Sequence, residues 1–212
     1  DEFWFLEVNP RIQVEHPVTE LVYGVDLVQE QLHIALGEGL TLSEENLQAR
    51  GYAIEGRVYA EDPVTFIPAP GEVHCYEPPQ GPGLRIDDGI RAGSKVTPFY
   101  DPLLAKTMAW APTKKEAANR LCLALKRFII NGTLRTNLEL LIQILAADWF
   151  LAGSYDTTTL EEKVESLPLP EYLPELAAQI TVLYETNSSK QVPLQGGRNR
   201  FGWKQGQWKE LP

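Results

Sequence analysis

The run Glu7-x-Asn9-x-Arg11-x-Gln13-Val14-Glu15-His16 concentrates the side chains best able to do chemistry. In an extended chain, residues two apart project the same way, about 7 Å from one another. The spacing therefore places a carboxylate, an amide, a guanidinium, an amide and a second carboxylate on one face. Glu and Asn oxygens are hard ligands suited to Mg²⁺, which keeps nucleotide phosphates and waters as its other ligands. The Arg11 fork fits a carboxylate or bicarbonate. A carboxylate further along, Glu15, has the chemistry of a base. The bland alternative is a solvated strand face with Glu and Arg in loose ion pairs, which antiparallel sheets commonly carry.

The elements that must position this run follow from local patterning. Leu6, Val8, Ile12 and Val14 alternate with Glu7, Asn9, Arg11, Gln13 and Glu15, which predicts a strand over Phe5–Glu15 with one face on a core. Pro10 has no N–H to give a ladder and so predicts an edge or an irregularity. Val18–Tyr23 reads as a short helix stopped by Gly24. Asp26, with Gln29 three residues on, predicts the start of a second helix. Its expected buried stripe is Leu27, Val28, Leu32, Ala35 and Leu36, and Gly37 ends it.

Residues 52–112 read as β-rich. Ile54, Gly56, Val58 and Ala60 alternate with Glu55, Arg57, Tyr59 and Glu61, and Pro63, Pro68, Pro70 and Gly71 mark a turn region. Further strands are expected near 72–77, 84–88 and 103–110. Three capped helices follow: Thr113 with Glu116, Thr136 with Glu139, and Thr158 with Glu161 each form the T-x-x-E pattern. Pro168, Pro170 and Pro174 predict a linker and then a helix to about Tyr184. Asn187–Gly197 reads as a loop, and Trp203 and Trp208 as a short strand pair.

Composition narrows the function. The 212 residues carry 19 Lys plus Arg against 29 Asp plus Glu, a formal charge of −10, which disfavours nucleic acid or an anionic membrane surface as a partner. No apolar run approaches the roughly 20 residues of a membrane span. The first residues have no basic region of the signal-peptide kind. Cys75 and Cys122 make neither a disulfide framework nor a four-thiolate zinc site, so a reducing compartment is expected. The only methionine is Met108, and a fragment or processed piece is expected.

The whole run Phe5-Leu6-Glu7-Val8-Asn9-Pro10-Arg11-Ile12-Gln13-Val14-Glu15-His16-Pro17-Val18-Thr19-Glu20 resembles the ATP-grasp signature of biotin carboxylases. These are the components of acetyl-CoA, propionyl-CoA, methylcrotonyl-CoA and pyruvate carboxylases. Gly51–Pro63, with Glu55-Gly56-Arg57-Val58 at its centre, is similar to the family's second signature. Phe66-Ile67-Pro68-Ala69-Pro70-Gly71, Tyr100–Lys106, Ile130-Asn131-Gly132 and Thr136-Asn137 also resemble its motifs, in the same order. Separated motifs in one order make a chance match implausible.

The resemblance implies an α+β fold: the C-terminal end of an ATP-grasp domain over residues 1–49, a biotin carboxylase C-terminal domain over 50–165 with an antiparallel sheet and flanking helices, and a linker into a following domain over 166–212. It implies that Glu7 and Asn9 hold Mg²⁺ or Mn²⁺ at the phosphates of ATP. Arg11, Gln13 and the backbone N–H of Val14 would bind bicarbonate, and Glu15 would deprotonate it. Arg57 would hold the ureido oxygen of biotin, a task suited to a guanidinium that stays protonated.

The implied parent is an ATP-dependent ligase working in the cytoplasm, or in the mitochondrial matrix of a eukaryote. Its implied partners are a biotin carboxyl carrier domain, a carboxyltransferase subunit or domain, and a second copy meeting it through the C-terminal domain. The family's glycine-rich lid, phosphate-binding lysines and biotin acceptor motif have no counterpart here, so the isolated chain is expected to be inactive. The alternatives are a non-catalytic scaffold or subunit-contact module, and another ATP-grasp ligase such as a carbamoyl-phosphate synthetase, which shares E-x-N-x-R.

Other residues carry plainer expectations. His16 suits packing or hydrogen bonding, His33 a helix surface and His74 a strand, with no metal-binding spacing among them. Cys75 and Cys122 read as structural thiols. Asp101 and Lys106 match the family, with an internal ion pair as the alternative. Arg85 falls where relatives place a dimer-interface arginine, with solvent exposure as the alternative. Gly89–Lys95 fails the phosphate-loop spacing.

Overall fold

A computed structural model of the chain describes residues 3–168; the expected helix to Tyr184, the loop over 187–197 and the Trp203/Trp208 strand pair lie outside the described residues. Two antiparallel sheets carry the fold. In the first, β1 (Tyr52–Tyr59) and β3 (Leu84–Asp88) flank β5 (Leu103–Ala111). In the second, β2 (Gly71–Glu77) lies between β4 (Lys95–Val96) and β6 (Ile129–Gly132). β5 takes the central place because both of its faces are apolar enough to be covered. Leu104, Ala105, Met108, Ala109 and Ala111 are all buried.

The register runs Tyr52↔Ala111 to Val58↔Ala105, then slips at a bulge before Tyr59↔Leu103. The face bearing Ile54, Val58, Ala105 and Ala109 packs against α3 (Lys114–Lys126) and α4 (Leu138–Ala146) through Leu121, Leu125, Ile142 and Leu145. Tyr76 of β2 meets Phe128 edge-to-face at 5.5 Å, which ties the second sheet to the end of α3. β6 approaches β2 so closely that a Cβ at Gly132 would lie 1.8 Å from the Glu72 carbonyl oxygen; only glycine fits there.

The α+β class and the strands expected near 72–77, 84–88 and 103–110 agree with these elements. α1 (His16–Tyr23) ends at Gly24, whose φ of 68° is left-handed, and α2 (Leu27–Ala35) starts at Asp26, which accepts the Gln29 N–H at 2.8 Å. Thr113 and Glu116 form a full capping box for α3.

Four expectations need correction. Phe5–Glu15 forms no strand: no other described strand pairs with it, and an unpaired strand has no ladder to hold it. The stripe on α2 is not buried, with Leu32 60% and Leu36 74% exposed; the buried residue is Glu30, whose carboxylate accepts the Thr41 N–H at 2.8 Å and its hydroxyl. Thr136 caps nothing. Asn137 stands at the N-cap of α4 and spends its side chain on β1, accepting the Tyr59 N–H at 2.9 Å and donating to the Arg57 carbonyl at 3.1 Å. α6 (Thr159–Lys163) forms, but Asp156, not Thr158, supplies the side chain that takes up its leading N–H groups. The short β4, β6 and α5 (Asp148–Ala152) escape sequence patterning altogether, since each is too short for periodicity to show.

Candidate functional site

The face of the first sheet turned away from α3 carries the charged residues. Pairing sets them in rows, because residues directly opposite in an antiparallel ladder share a face. Arg57, Lys106 and Asp87 make one row, and Glu55, Met108 and Arg85 the next. Residues 14–20 lie against this face and are bonded to it. Arg57 Nη2 donates to Glu15 Oε2 at 3.2 Å. Lys106 Nζ donates to the Val14 carbonyl at 3.1 Å and pairs with Asp87 at 3.3 Å. Arg85 grips Asp87 with two bonds of 2.8 and 3.0 Å, and its Nη1 reaches Glu20 at 2.6 Å. The other oxygen of Glu20 accepts the Leu27 N–H at 2.7 Å, so the network runs from the sheet into the start of α2.

The electrostatics follow from burial. Glu55 is 5% exposed, and burial raises its carboxyl above the usual range, against the pull of Lys106 and Arg57. Burial pushes the Asp87 carboxyl up too, but the bonds and charge of Arg85, with Lys106, outweigh it and hold the acid low.

The structure brings Glu15 and Arg57 together from 42 positions apart. It gathers Arg11, Gln13 and Val14 into the same irregular segment. Arg11 donates to the Ile12 carbonyl at 3.1 Å and to the Gln13 side chain at 3.4 Å, and the Gln13 carbonyl accepts from His16 Nδ1 at 2.7 Å. That fixes His16 in a hydrogen-bonding role. Glu7 and Asn9 lie on the exposed stretch before Arg11, with no side-chain hydrogen bond or ion pair among the described residues. They offer two hard oxygen donors free of competitors, which fits Mg²⁺ that draws its remaining ligands from phosphate and water. No cluster of three acidic, His or Cys side chains suited to a metal occurs among the described residues.

Two expectations change here. Lys106 pairs with Asp87 rather than Asp101, which instead accepts the Leu103 N–H at 2.8 Å. Arg85 is not simply solvated; Glu20 and Asp87 hold it. Cys75 is buried and Cys122 half-buried, both free thiols. His33 pairs with Glu38 at the end of α2. Residue spacing alone does not mark Glu55 as part of the site, although it stands two positions from Arg57 on the same face. Asp87 and Glu20 show only once the strands are in register.

Residues 55–162 match the family model of the biotin carboxylase C-terminal domain. The chain belongs to that family. Residues 1–43 match the model of the carbamoyl-phosphate synthase L chain ATP-binding domain. Among curated proteins, the chain is 46% identical over 160 residues to biotin carboxylase 2 of Bacillus subtilis, covering 76% of this chain and 36% of that one. It is 49% identical over 154 residues to the biotin carboxylase of Halalkalibacterium halodurans, covering 73% and 34%. The chain thus spans about a third of the length of the curated relatives it matches. Among solved structures, it is similar to the biotin carboxylase domain dimer of the Hydrogenobacter thermophilus 2-oxoglutarate carboxylase, in complex with MgADP, ADP and bicarbonate. The TM-score there is 0.76 at 42% identity, with 79% of this chain and 37% of that one covered. No helix among the described residues is long and apolar enough to cross a membrane.

Proposed function

We propose that this chain supplies one wall of the active site of an ATP-dependent biotin carboxylase. The observation that carries the reading is the 3.2 Å contact between Glu15 and Arg57. Glu15 lies in the segment that matches an ATP-binding domain, and Arg57 in the one that matches a biotin carboxylase C-terminal domain. Their meeting gives one site a base and a guanidinium from two different family signatures.

Bicarbonate would sit in the fork of Arg11 with Gln13 and the backbone N–H of Val14, and Glu15 would take its proton. Glu7 and Asn9 would hold Mg²⁺ or Mn²⁺, which would supply charge neutralisation at the phosphates of ATP; bicarbonate would attack the γ-phosphorus to give carboxyphosphate, with ADP leaving. Arg57 would then hold the ureido oxygen of biotin and stabilise the negative charge that develops there as N1′ loses its proton; the carboxyl group of carboxyphosphate would pass to N1′, and phosphate would leave. Biotin would arrive on a carrier domain, and a carboxyltransferase would consume the product. Residues 1–49, 50–165 and 166–212 would be the ATP-grasp end, the C-terminal domain and a linker. A second copy would pair through the C-terminal domain, in the cytoplasm or the mitochondrial matrix. The carbamoyl-phosphate synthase match covers only 1–43, and the Arg57 strand lies beyond it.

The test uses the full-length carboxylase containing this chain. Glu15→Ala is expected to depress bicarbonate-dependent ATP cleavage and biotin carboxylation together, by about 10²–10³-fold. Arg57→Ala is expected to depress biotin carboxylation more than ATP cleavage. Arg57→Lys should not restore it fully, because an ammonium lacks the planar fork. An unchanged ratio of ATP cleaved per biotin carboxylated in Arg57→Ala would remove Arg57 from the chemistry.

A further inference from the structure

Glu55 stands two residues before Arg57 on the same sheet face, and the reading above gives it no task. Its side chain is 5% exposed. Both carboxylate oxygens are fully buried, and no donor among the described residues bonds to either. Its ion-pair partner is the Arg57 guanidinium, with Nε 3.7 Å from Glu55 Oε1. Lys106 on β5, Glu15 and His16 are the other charged or titratable groups that act on it. A buried carboxylate without hydrogen bonds is costly, and a neighbouring fixed cation is what makes it tolerable.

Arg57 is therefore held between two carboxylates of different character, with the Tyr59 side chain also acting on its guanidinium. Glu55 meets it at Nε from inside the fold. Glu15 meets it at Nη2 and is itself 52% exposed. We propose that Glu55 is the positioning residue for Arg57: it anchors the guanidinium at Nε, so that Arg57 keeps its place when Glu15 leaves the pair. This rests on the proposed roles of Glu15 and Arg57. Once Glu15 accepts the proton of bicarbonate it is neutral, and its attraction for Arg57 Nη2 weakens. The guanidinium is then free at that end to meet the charge developing on biotin, while Glu55 prevents it from swinging away. The proton leaves bicarbonate and arrives on Glu15; no bond at Glu55 is made or broken. Glu55 thus couples the second half of the reaction to the first without touching a substrate.

The test has one readout independent of activity and one that depends on it. In this 212-residue chain labelled with ¹⁵N-arginine, the Nε–H signal of Arg57, identified by its loss in Arg57→Ala, is expected to move in Glu55→Gln; an unmoved signal overturns the proposal. In the full-length enzyme, Glu55→Gln is expected to leave bicarbonate-dependent ATP cleavage within about twofold. It is expected to lower biotin carboxylation by on the order of 10–100-fold, the scale of a misplaced catalytic group. Added to Arg57→Ala, it should lower carboxylation no further, since the group it positions is gone. A purely structural Glu55 would instead multiply its loss onto that of Arg57→Ala and leave the coupling ratio of the single variant unchanged; either result overturns the proposal. Should Glu55→Gln not accumulate as folded protein, Glu55→Asp takes its place in the same cycle, and the same two results overturn the proposal. An inactive wild-type enzyme whose Arg57 signal still moves in Glu55→Gln would sink the carboxylase reading while leaving the anchoring contact intact.

Discussion

Residues 5–15 and residues 52–59 have the same alternating pattern and meet opposite fates. In β1, Ile54, Gly56 and Val58 turn toward α3 and α4 while Glu55 and Arg57 turn the other way, and β5 pairs with the strand along its length. In the earlier segment, Leu6 and Val8 are 90% and 70% exposed and no described strand runs beside them. Alternation states which residues would share a face. Only a neighbouring strand supplies the hydrogen bonds that make the face real. Most of the candidate chemistry, Glu7 to Glu15, sits on the segment without that support. Among the described residues it is tied to the sheet at its far end, by Lys106 at Val14 and Arg57 at Glu15.

The largest effect that separates the regions is core truncation. Leu121 is fully buried against β1 and its neighbours. Leu121→Ala is expected to cost about 2–5 kcal/mol, the range for a buried leucine. Urea denaturation checks it, and a loss below about 1 kcal/mol would mean that the packing of α3 on the first sheet is not what holds the chain together.

The second effect concerns the tether. Lys106 is only 14% exposed and bridges Asp87 to the Val14 carbonyl. In Lys106→Met, Asp87 keeps Arg85, so the sheet should survive with a loss of about 1–2 kcal/mol. Val14 would lose its anchor. In the full-length enzyme, KM for bicarbonate is expected to rise about tenfold with a smaller change in kcat, as for lost binding rather than lost chemistry. A kcat loss with KM unchanged would place Lys106 outside the bicarbonate segment.

The turn after β1 shows how a polar residue can do what the early segment lacks. Asp62 accepts the Val64 and Thr65 N–H groups at 3.0 and 2.9 Å and pairs with Arg135 at 2.5 Å. The Thr65 N–H above all, with Val64, Arg135 and the Thr65 hydroxyl and against the cost of burial, holds its carboxyl down at about 2. A depressed acid stabilises the fold above its unfolded pKa of about 3.9, and that gain disappears as pH falls through about 2. Asp62→Asn is expected to cost about 1–2 kcal/mol at about pH 7, and the gap to wild type should close between about pH 4 and 2. A constant gap over that window would assign the loss to shape rather than charge.

These cases show what is legible. The α3 capping box, the Gly24 stop and the strands around β5 follow from spacing, because each depends on residues a few positions apart. The resemblance singles out Glu15 and Arg57, yet nothing local says that they touch. The roles of Asn137, Glu20 and Asp87 are illegible for one physical reason: each side chain serves an element distant in sequence, and only strand pairing and the packing of helices on the sheet bring the partners together.

The smallest expected effect is the sharpest test of the comparison. Leu6 is 90% exposed, so Leu6→Ala in this 212-residue chain should change stability by less than about 0.5 kcal/mol. The alternation of Phe5–Glu15 nonetheless puts Leu6 on the apolar side of the segment, and the resemblance puts that segment at the C-terminal end of an ATP-grasp domain. In the full-length protein the same substitution is then expected to cost about 2–5 kcal/mol, as for any leucine with a covered side chain. The difference between the two values measures the burial that the rest of the protein gives this segment. Equal and small values would mean that the segment stays exposed in the full-length protein, and the alternation would be no guide to it. Equal and large values would mean that Leu6 is covered in the short chain as well, and the contrast between the two regions would be lost.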